Sequence, residues 1–248
     1  MTRLPALPSL RPLLLIISAL VIGALVPSCR PDRFGVTGSG AAVTEMRYPG
    51  SFEGLSLCVD ADVVLHVDSV CRVEITAQPD ILDVLSTSIR NNRLSIDFTD
   101  KVWKHSGITI HVYAPSYVHV SLSGSGSINN TGSFSATDFY TDVSGSGSIT
   151  ISGLQAVSVR AVISGSGDIT LSGQAQSLTT ATSGSGDMRT FGLPVSSGNV
   201  TISGAGFVEI HASQELEVGI SGSGDVYYKG TPAIDASISG SGKLHHVN

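Results

Sequence analysis

The second half of the sequence repeats a Ser-Gly-Ser-Gly-like motif seven times, starting at Ser123, Ser144, Ser164, Ser183, Ser203, Ser221 and Ser239. The spacings are 21, 20, 19, 20, 18 and 18 residues. A period in this range marks a stacked array, because so short a unit cannot close a core alone and must bury its apolar face against its neighbours. It is also too short for a strand–helix–strand unit, which takes about 30 residues. Between motifs the apolar residues alternate. Val159, Ala161, Ile163, Ile169 and Leu171 share one phase with Gly165 and Gly167, whereas Ser164, Ser166, Asp168 and Thr170 take the other. A period of two is a strand, not a helix. Apolar residues and glycines are therefore expected inward and hydroxyls outward, one copy per coil, with coils about 4.8 Å apart. The expected fold is all-β: a parallel β-helix (β-solenoid) with coils of about 20 residues.

Residues 43–120 lack the motif and read as irregular β structure that caps or starts the solenoid. Strands are expected at Leu55–Asp60, Val63–Val67, Arg72–Thr76, Leu85–Arg90, Leu94–Phe98 and Ile108–Ala114, each short, alternating and bounded by turn residues. Asn91-Asn92 suits a tight hairpin, since Asn tolerates positive φ. Gln78-Pro79-Asp80 and the four residues after it are the one helical hint. Residues 43–248 are thus expected to be one continuous domain, with the repeats occupying 121–248.

The first 28 residues read as a secretory leader. Arg3 and Arg11 flank the start of an apolar run from Leu13 to Val26, too short to span a bilayer but suited to a signal peptide. Small residues before Cys29 resemble a bacterial lipobox, with Cys29 as the lipidated mature N-terminus. Lipid chains there would hold the protein on a membrane without a spanning helix. Residues 29–42 read as a polar tether. The chain is then expected to be secreted across the inner membrane and held as an outer-membrane lipoprotein, at the cell surface or on the periplasmic face.

The formal charge is −6, and loss of the leader's two arginines makes it more negative. An acidic, Lys/Arg-poor body excludes nucleic acid as a partner and gives no electrostatic grip on anionic lipid. Cys58 and Cys71 are the cysteines beyond Cys29. They are candidates for a disulfide in an oxidising compartment, or two buried thiols.

SGSGSITISG, SGSGDITLSG and SGSGDVYYKG, preceded by an irregular β region and a lipoprotein-type leader, resemble the head GIN domain family. These are secreted proteins frequent among Bacteroidetes that carry the label of autotransporter adhesins. The resemblance runs from about Met46 to Val247. It implies a right-handed parallel β-helix and an adhesin-like role, and it brings no catalytic residues or cofactor.

Candidate site residues are few. Asp168 and Asp187 follow the motif on adjacent coils, where two carboxylates about 5 Å apart could hold a hard cation or act as a glycosidase pair. A solubilising ladder is the plainer reading of that column. Asp225 and Lys243, also on consecutive coils, are expected to form an ion pair. Trp103, in the charged segment Asp100–His105, either contacts a sugar or protein ligand or folds over the end of the solenoid. His66, His105, His111, His119, His211, His245 and His246 show no metal-binding spacing. The sequence reads as a lipid-anchored, non-enzymatic adhesin-like binding module with a glycan or envelope protein as partner, either monomeric or a weak end-to-end homodimer. A periplasm-facing envelope scaffold is the alternative, and a carbohydrate-active enzyme the second.

Overall fold

Each Ser-Gly-Ser-Gly motif carries the chain from one wall of a solenoid to the next. The computed structural model describes residues 35–248, which wind through about six turns at ~20-residue spacing. The expected leader and the expected lipidation site, Cys29, lie outside the described residues. Like residues stack in parallel register. Val143, Ile163, Thr182, Ile202, Ile220 and Ile238 make one inward column. Ile149, Ile169, Met188, Val208, Val226 and Leu244 make the column on the facing wall. A short third face runs through Phe134–Ala136 and Leu154–Ala156. The expected alternation and facing are what the solenoid shows.

The glycines sit on the inward phase, but what they accommodate is backbone rather than a narrowed core. Gly165 has φ +141, and a Cβ placed on it would stand 2.5 Å from the carbonyl oxygen of Gly145, one coil earlier. That carbonyl accepts the Ser166 N–H at 2.9 Å, and the same bond recurs from Ser185 to Gly165, Ser223 to Gly204 and Ser241 to Gly222. The motif is a backbone hydrogen-bond ladder that leaves no room for a side chain at this position.

The irregular region is continuous with the repeats. Gly54–Leu57 and Asp62–Val67 form a rung that pairs in parallel with His119–Leu122 and Ser127–Thr131 on one side. On the other side it pairs in parallel with Arg93–Phe98 and Thr109–Ala114. The first rung in the chain is therefore not the first in the stack. Beyond these strands the pairing turns antiparallel. Leu85–Arg90 folds back on Arg93–Phe98 through Asn91 and Asn92, whose φ values are +50 and +60. Arg72–Ala77 pairs with Thr109–Ala114, and Val43–Arg47 with Arg72–Ala77. The expected helical turn is Pro79–Leu82, with Ile81 and Leu82 buried. The Arg47 guanidinium donates to the carbonyls of Leu82 and Leu85. The outermost strand at this end, Val43–Arg47, is an exposed edge, and its Glu45–Arg47 ion pair at 2.7 Å, with the hairpin and helical turn beside it, blunts it as charges on sheet edges do.

Tyr117 locks this region to the repeats. It is fully buried, and its hydroxyl donates towards the carbonyls of Val112 at 2.8 Å and His66 at 3.0 Å. Its ring packs edge-on against Phe134, with ring centroids 5.7 Å apart.

Three expectations change here. The described part of the expected tether is docked: Val36–Thr37 pairs with Val102–Lys104, and Ser39 N–H donates to Asp80 at 3.1 Å. Cys58 and Cys71 are free thiols. Cys71 lies against the Phe52 carbonyl, before the strand Gly54–Leu57, and Cys58 follows that strand. A strand of four residues spans about 13 Å, beyond the ~7 Å a disulfide allows between Cα atoms. Asp225 does not pair with the Lys243 ammonium. Its carboxylate accepts the Lys243 backbone N–H at 2.8 Å and faces His245 Nε2 at 3.8 Å.

Candidate functional site

Among the described residues the interior is apolar, its buried polar side chains besides Tyr117 being Thr141, Thr180, Thr182 and Thr190, of which the first three have hydroxyls without a partner. Any ligand site must therefore lie on the outer surface, where stacking sets like positions of successive coils side by side.

Two adjoining concavities, which meet at Thr137, run along the corner between the short face and a long wall. The first, about 510 Å³, has a floor of Ala136, Ala156 and Ala175, one from each of three successive coils. Small residues keep the floor low, and the amides of Gln155, Gln174 and Gln176 stand beside it. The second, about 630 Å³, shares Thr137 with the first and is lined by Val118, His119, Tyr140 and Arg160 among others. Both volumes fall within the ~300–1,000 Å³ of small-ligand sites.

Register explains the second concavity. His119, Tyr140 and Arg160 face each other on three consecutive strands, and Gly54 flanks His119 on the fourth. Because Gly54 has no side chain, the Arg93 guanidinium reaches across it and donates to His119 Nε2 at 2.9 Å. Asp142 lies 3.3 Å from the same nitrogen and accepts the Ser121 hydroxyl at 2.8 Å. Tyr140 packs on His119 with ring centroids 4.6 Å apart and planes tilted by 33°. Partial burial, then the Asp142 carboxylate, push the Tyr140 phenol pKa up, so it stays a neutral donor. The groove thus combines an aromatic face, one arginine and a row of amides that both donate and accept.

Asp168 and Asp187 do stand on adjacent coils, and Arg189 sits between them. Its Nη1 is 3.6 Å from Asp168 and its Nη2 is 3.0 Å from Asp187. Asp168 also accepts the Asp187 backbone N–H at 3.2 Å, as Asp187 does that of Phe207 at 3.3 Å. These carboxylates bond coil to coil, and a guanidinium fills the space a cation would take. Among the described residues no three His, Cys, Asp or Glu side chains converge as a metal site. Trp103 is 60% exposed beneath the Lys101 ammonium, 4.8 Å from its ring, and does not line the groove. His66 and His111 come together, with Nε2 and Nδ1 2.9 Å apart. Burial, then His111 and Arg72, hold the His66 pKa below its ordinary value.

The groove residues escaped sequence reasoning because Gln155, Gln174, Tyr140 and Arg160 occupy outward positions that look like any solvated strand face. The available signal was alignment in the repeat frame, which puts an alanine at the same place in three copies.

Residues 51–232 match the family described as "Putative auto-transporter adhesin, head GIN domain". The chain belongs to this family. Solved structures share the head GIN fold. A "putative adhesin" from Bacteroides fragilis superposes with a TM-score of 0.80 at 19% identity, covering 86% of this chain and 100% of that one. A "putative adhesin" from Parabacteroides distasonis gives 0.72 at 21% identity over 86% and 99%. A "Putative lipid binding protein" from the same species gives 0.73 at 20% identity over 86% and 99%. No curated protein matches. Among the described residues of this head GIN protein, no helix is long and apolar enough to cross a membrane.

Proposed function

We propose that the chain is a non-enzymatic, adhesin-like binding module, anchored by lipid at Cys29 on the extracytoplasmic side of the envelope, and that the corner groove takes an extended glycan. The observation that carries this reading is the groove itself. Amides repeated along an alanine floor suit repeated hydroxyl groups, and the Tyr140 ring beside Arg160 offers a face on which a sugar ring can stack. The absence of side-chain chemistry inside the solenoid, and the engagement of Asp168 and Asp187 by Arg189, support binding over turnover.

The test is a panel of neutral and uronic-acid-bearing polysaccharides, presented to the chain carrying Cys29→Ala so that it is released from the membrane. Binding is expected, with Tyr140→Ala and the pair Gln155→Leu, Gln174→Leu each weakening it at least about tenfold, the equivalent of ~1.4 kcal/mol. Gln155 and Gln174 are exposed, so their variant should keep its thermal midpoint, whereas Tyr140 is part-buried against His119 and its variant is compared well below its own midpoint. No glycan binding, or binding indifferent to both variants, would remove the groove from the function.

A further inference from the structure

The two ends of the stack differ. One carries the helical turn Pro79–Leu82, the hairpin and an edge strand, Val43–Arg47, blunted by the Glu45–Arg47 ion pair. At the other lies the strand Ala233–Gly240, every residue of which is exposed. It pairs in parallel with the preceding rung, Glu215 to Gly222, and among the described residues nothing pairs with its outer edge. The apolar columns of the core run out onto this face. Leu216, Val218 and Ile220 are buried, whereas their partners Ile234 and Ile238 are 42% and 44% exposed.

The backbone direction of this edge follows from the rungs behind it. Bonds back to the preceding coil are donated by outward-facing residues, as from Tyr140 to Val118 and from Ser241 to Gly222. By alternation Ile234, Ala236 and Ile238 turn their N–H and C=O groups to the free edge, while their side chains lie over the core. A bare row of strand donors and acceptors flanked by apolar side chains is a template for another strand.

We propose that this face pairs with the same face of a second copy, through an antiparallel ladder centred on Ala236. The sequence of the strand chooses this occupant and this register. Ile-x-Ala-x-Ile reads the same in both directions, so a two-fold axis at Ala236 sets Ile234 against the partner's Ile238, and Ala236 against the partner's Ala236. All three are hydrogen-bonded pairs, since all three present backbone groups at the edge. On the outer side Asp235 falls opposite the partner's Ser237. A register centred one residue earlier puts Asp235 against its own copy, and like charges opposed across a ladder are unfavourable. One centred a residue later places Ile234 against glycine and loses the apolar match. The opposite end has its own edge strand, Val43–Arg47, paired on one side only and largely exposed. The residues it sets over the core side are Val43, Glu45 and Arg47, the last two ion-paired at 2.7 Å, so head-to-tail stacking would lay charges against the Ile234–Ile238 row. The two cores would join into one, with both grooves left open along the sides.

Sedimentation analysis of the Cys29→Ala chain tests this. A concentration-dependent dimer is expected, and Ala236→Arg should weaken it at least 100-fold without moving the thermal midpoint, because the side chain is exposed in the single copy. In a Cys58→Ser, Cys71→Ser background, Asp235→Cys with Ser237→Cys should give a covalent dimer on oxidation. A dimer unaffected by Ala236→Arg would mean a different interface and overturn the proposal. So would a monomer at all concentrations. In that monomer, slow amide exchange at Ile234, Ala236 and Ile238 would show another part of the chain covering the edge. Fast exchange would leave the edge bare or reserved for a different protein.

Discussion

Gly165→Val is expected to destabilise the solenoid by more than about 4 kcal/mol, whereas Ser166→Val, one residue away, should cost less than about 1 kcal/mol. The contrast comes from the motif's backbone ladder. At Gly165 φ is +141, a region that β-branched residues do not enter, and the first side-chain atom would already meet the Gly145 carbonyl at 2.5 Å. The neighbour cannot yield, since it is backbone and its carbonyl is committed to the Ser166 N–H. Relief therefore requires separating two coils, and in a solenoid the interface between coils is the stability. Ser166 is exposed and contributes only its backbone to the ladder. Denaturant titration followed by both circular dichroism and Trp103 fluorescence would measure the difference. In a repeat array one broken interface can split a single transition into two, and two probes would reveal that. A mild effect at Gly165 with a severe one at Ser166 would invert the facing of every coil.

How far the sequence reached depended on which parts of it repeat. The period and the alternation around Ile163 and Ile169 were enough for the solenoid, its parallel stacking and its inward columns, because each copy restates the same constraint. Asn91-Asn92 and Pro79 marked the hairpin and the helical turn through local backbone preferences alone. Order within the stack was not legible, since nothing local in Gly54–Leu57 says that it lies between Arg93–Phe98 and His119–Leu122. That is a long-range pairing choice among similar short apolar strands. The site was less legible than the fold. The period alone puts Asp168 and Asp187 on adjacent coils, but it does not by itself make Arg189, two residues further on, the partner of both. Side chains at i and i+2 share a face of a strand, so that association was available from the pattern. The groove depends on a corner between two faces, and a corner has no signature in a period-two pattern.

Tyr117→Ala should cost about 3–5 kcal/mol, the second large effect, and Tyr117→Phe about 1–2 kcal/mol. The larger figure reflects a cavity beside Phe134, where the antiparallel region meets the repeats. The smaller isolates the hydroxyl, which bridges Val112 and His66 from a fully buried position. The same hydroxyl gives stability a pH dependence that separates its role from simple packing. Burial raises the phenol pKa well above its ordinary 10.0. The neutral phenol is thus favoured in the folded chain, and its contribution is complete below pH 10. Above that pH the unfolded chain ionises while the folded one does not, so this contribution falls by about 1.4 kcal/mol per pH unit until the raised folded value is reached. Tyr117→Phe removes the group from both states. Between pH 9 and 11 the stability of the native chain should therefore drop towards that of Tyr117→Phe, the remaining tyrosines and lysines being common to both. Parallel pH profiles would mean that the hydroxyl is solvated in the folded state and that Tyr117 joins the two regions by its ring alone.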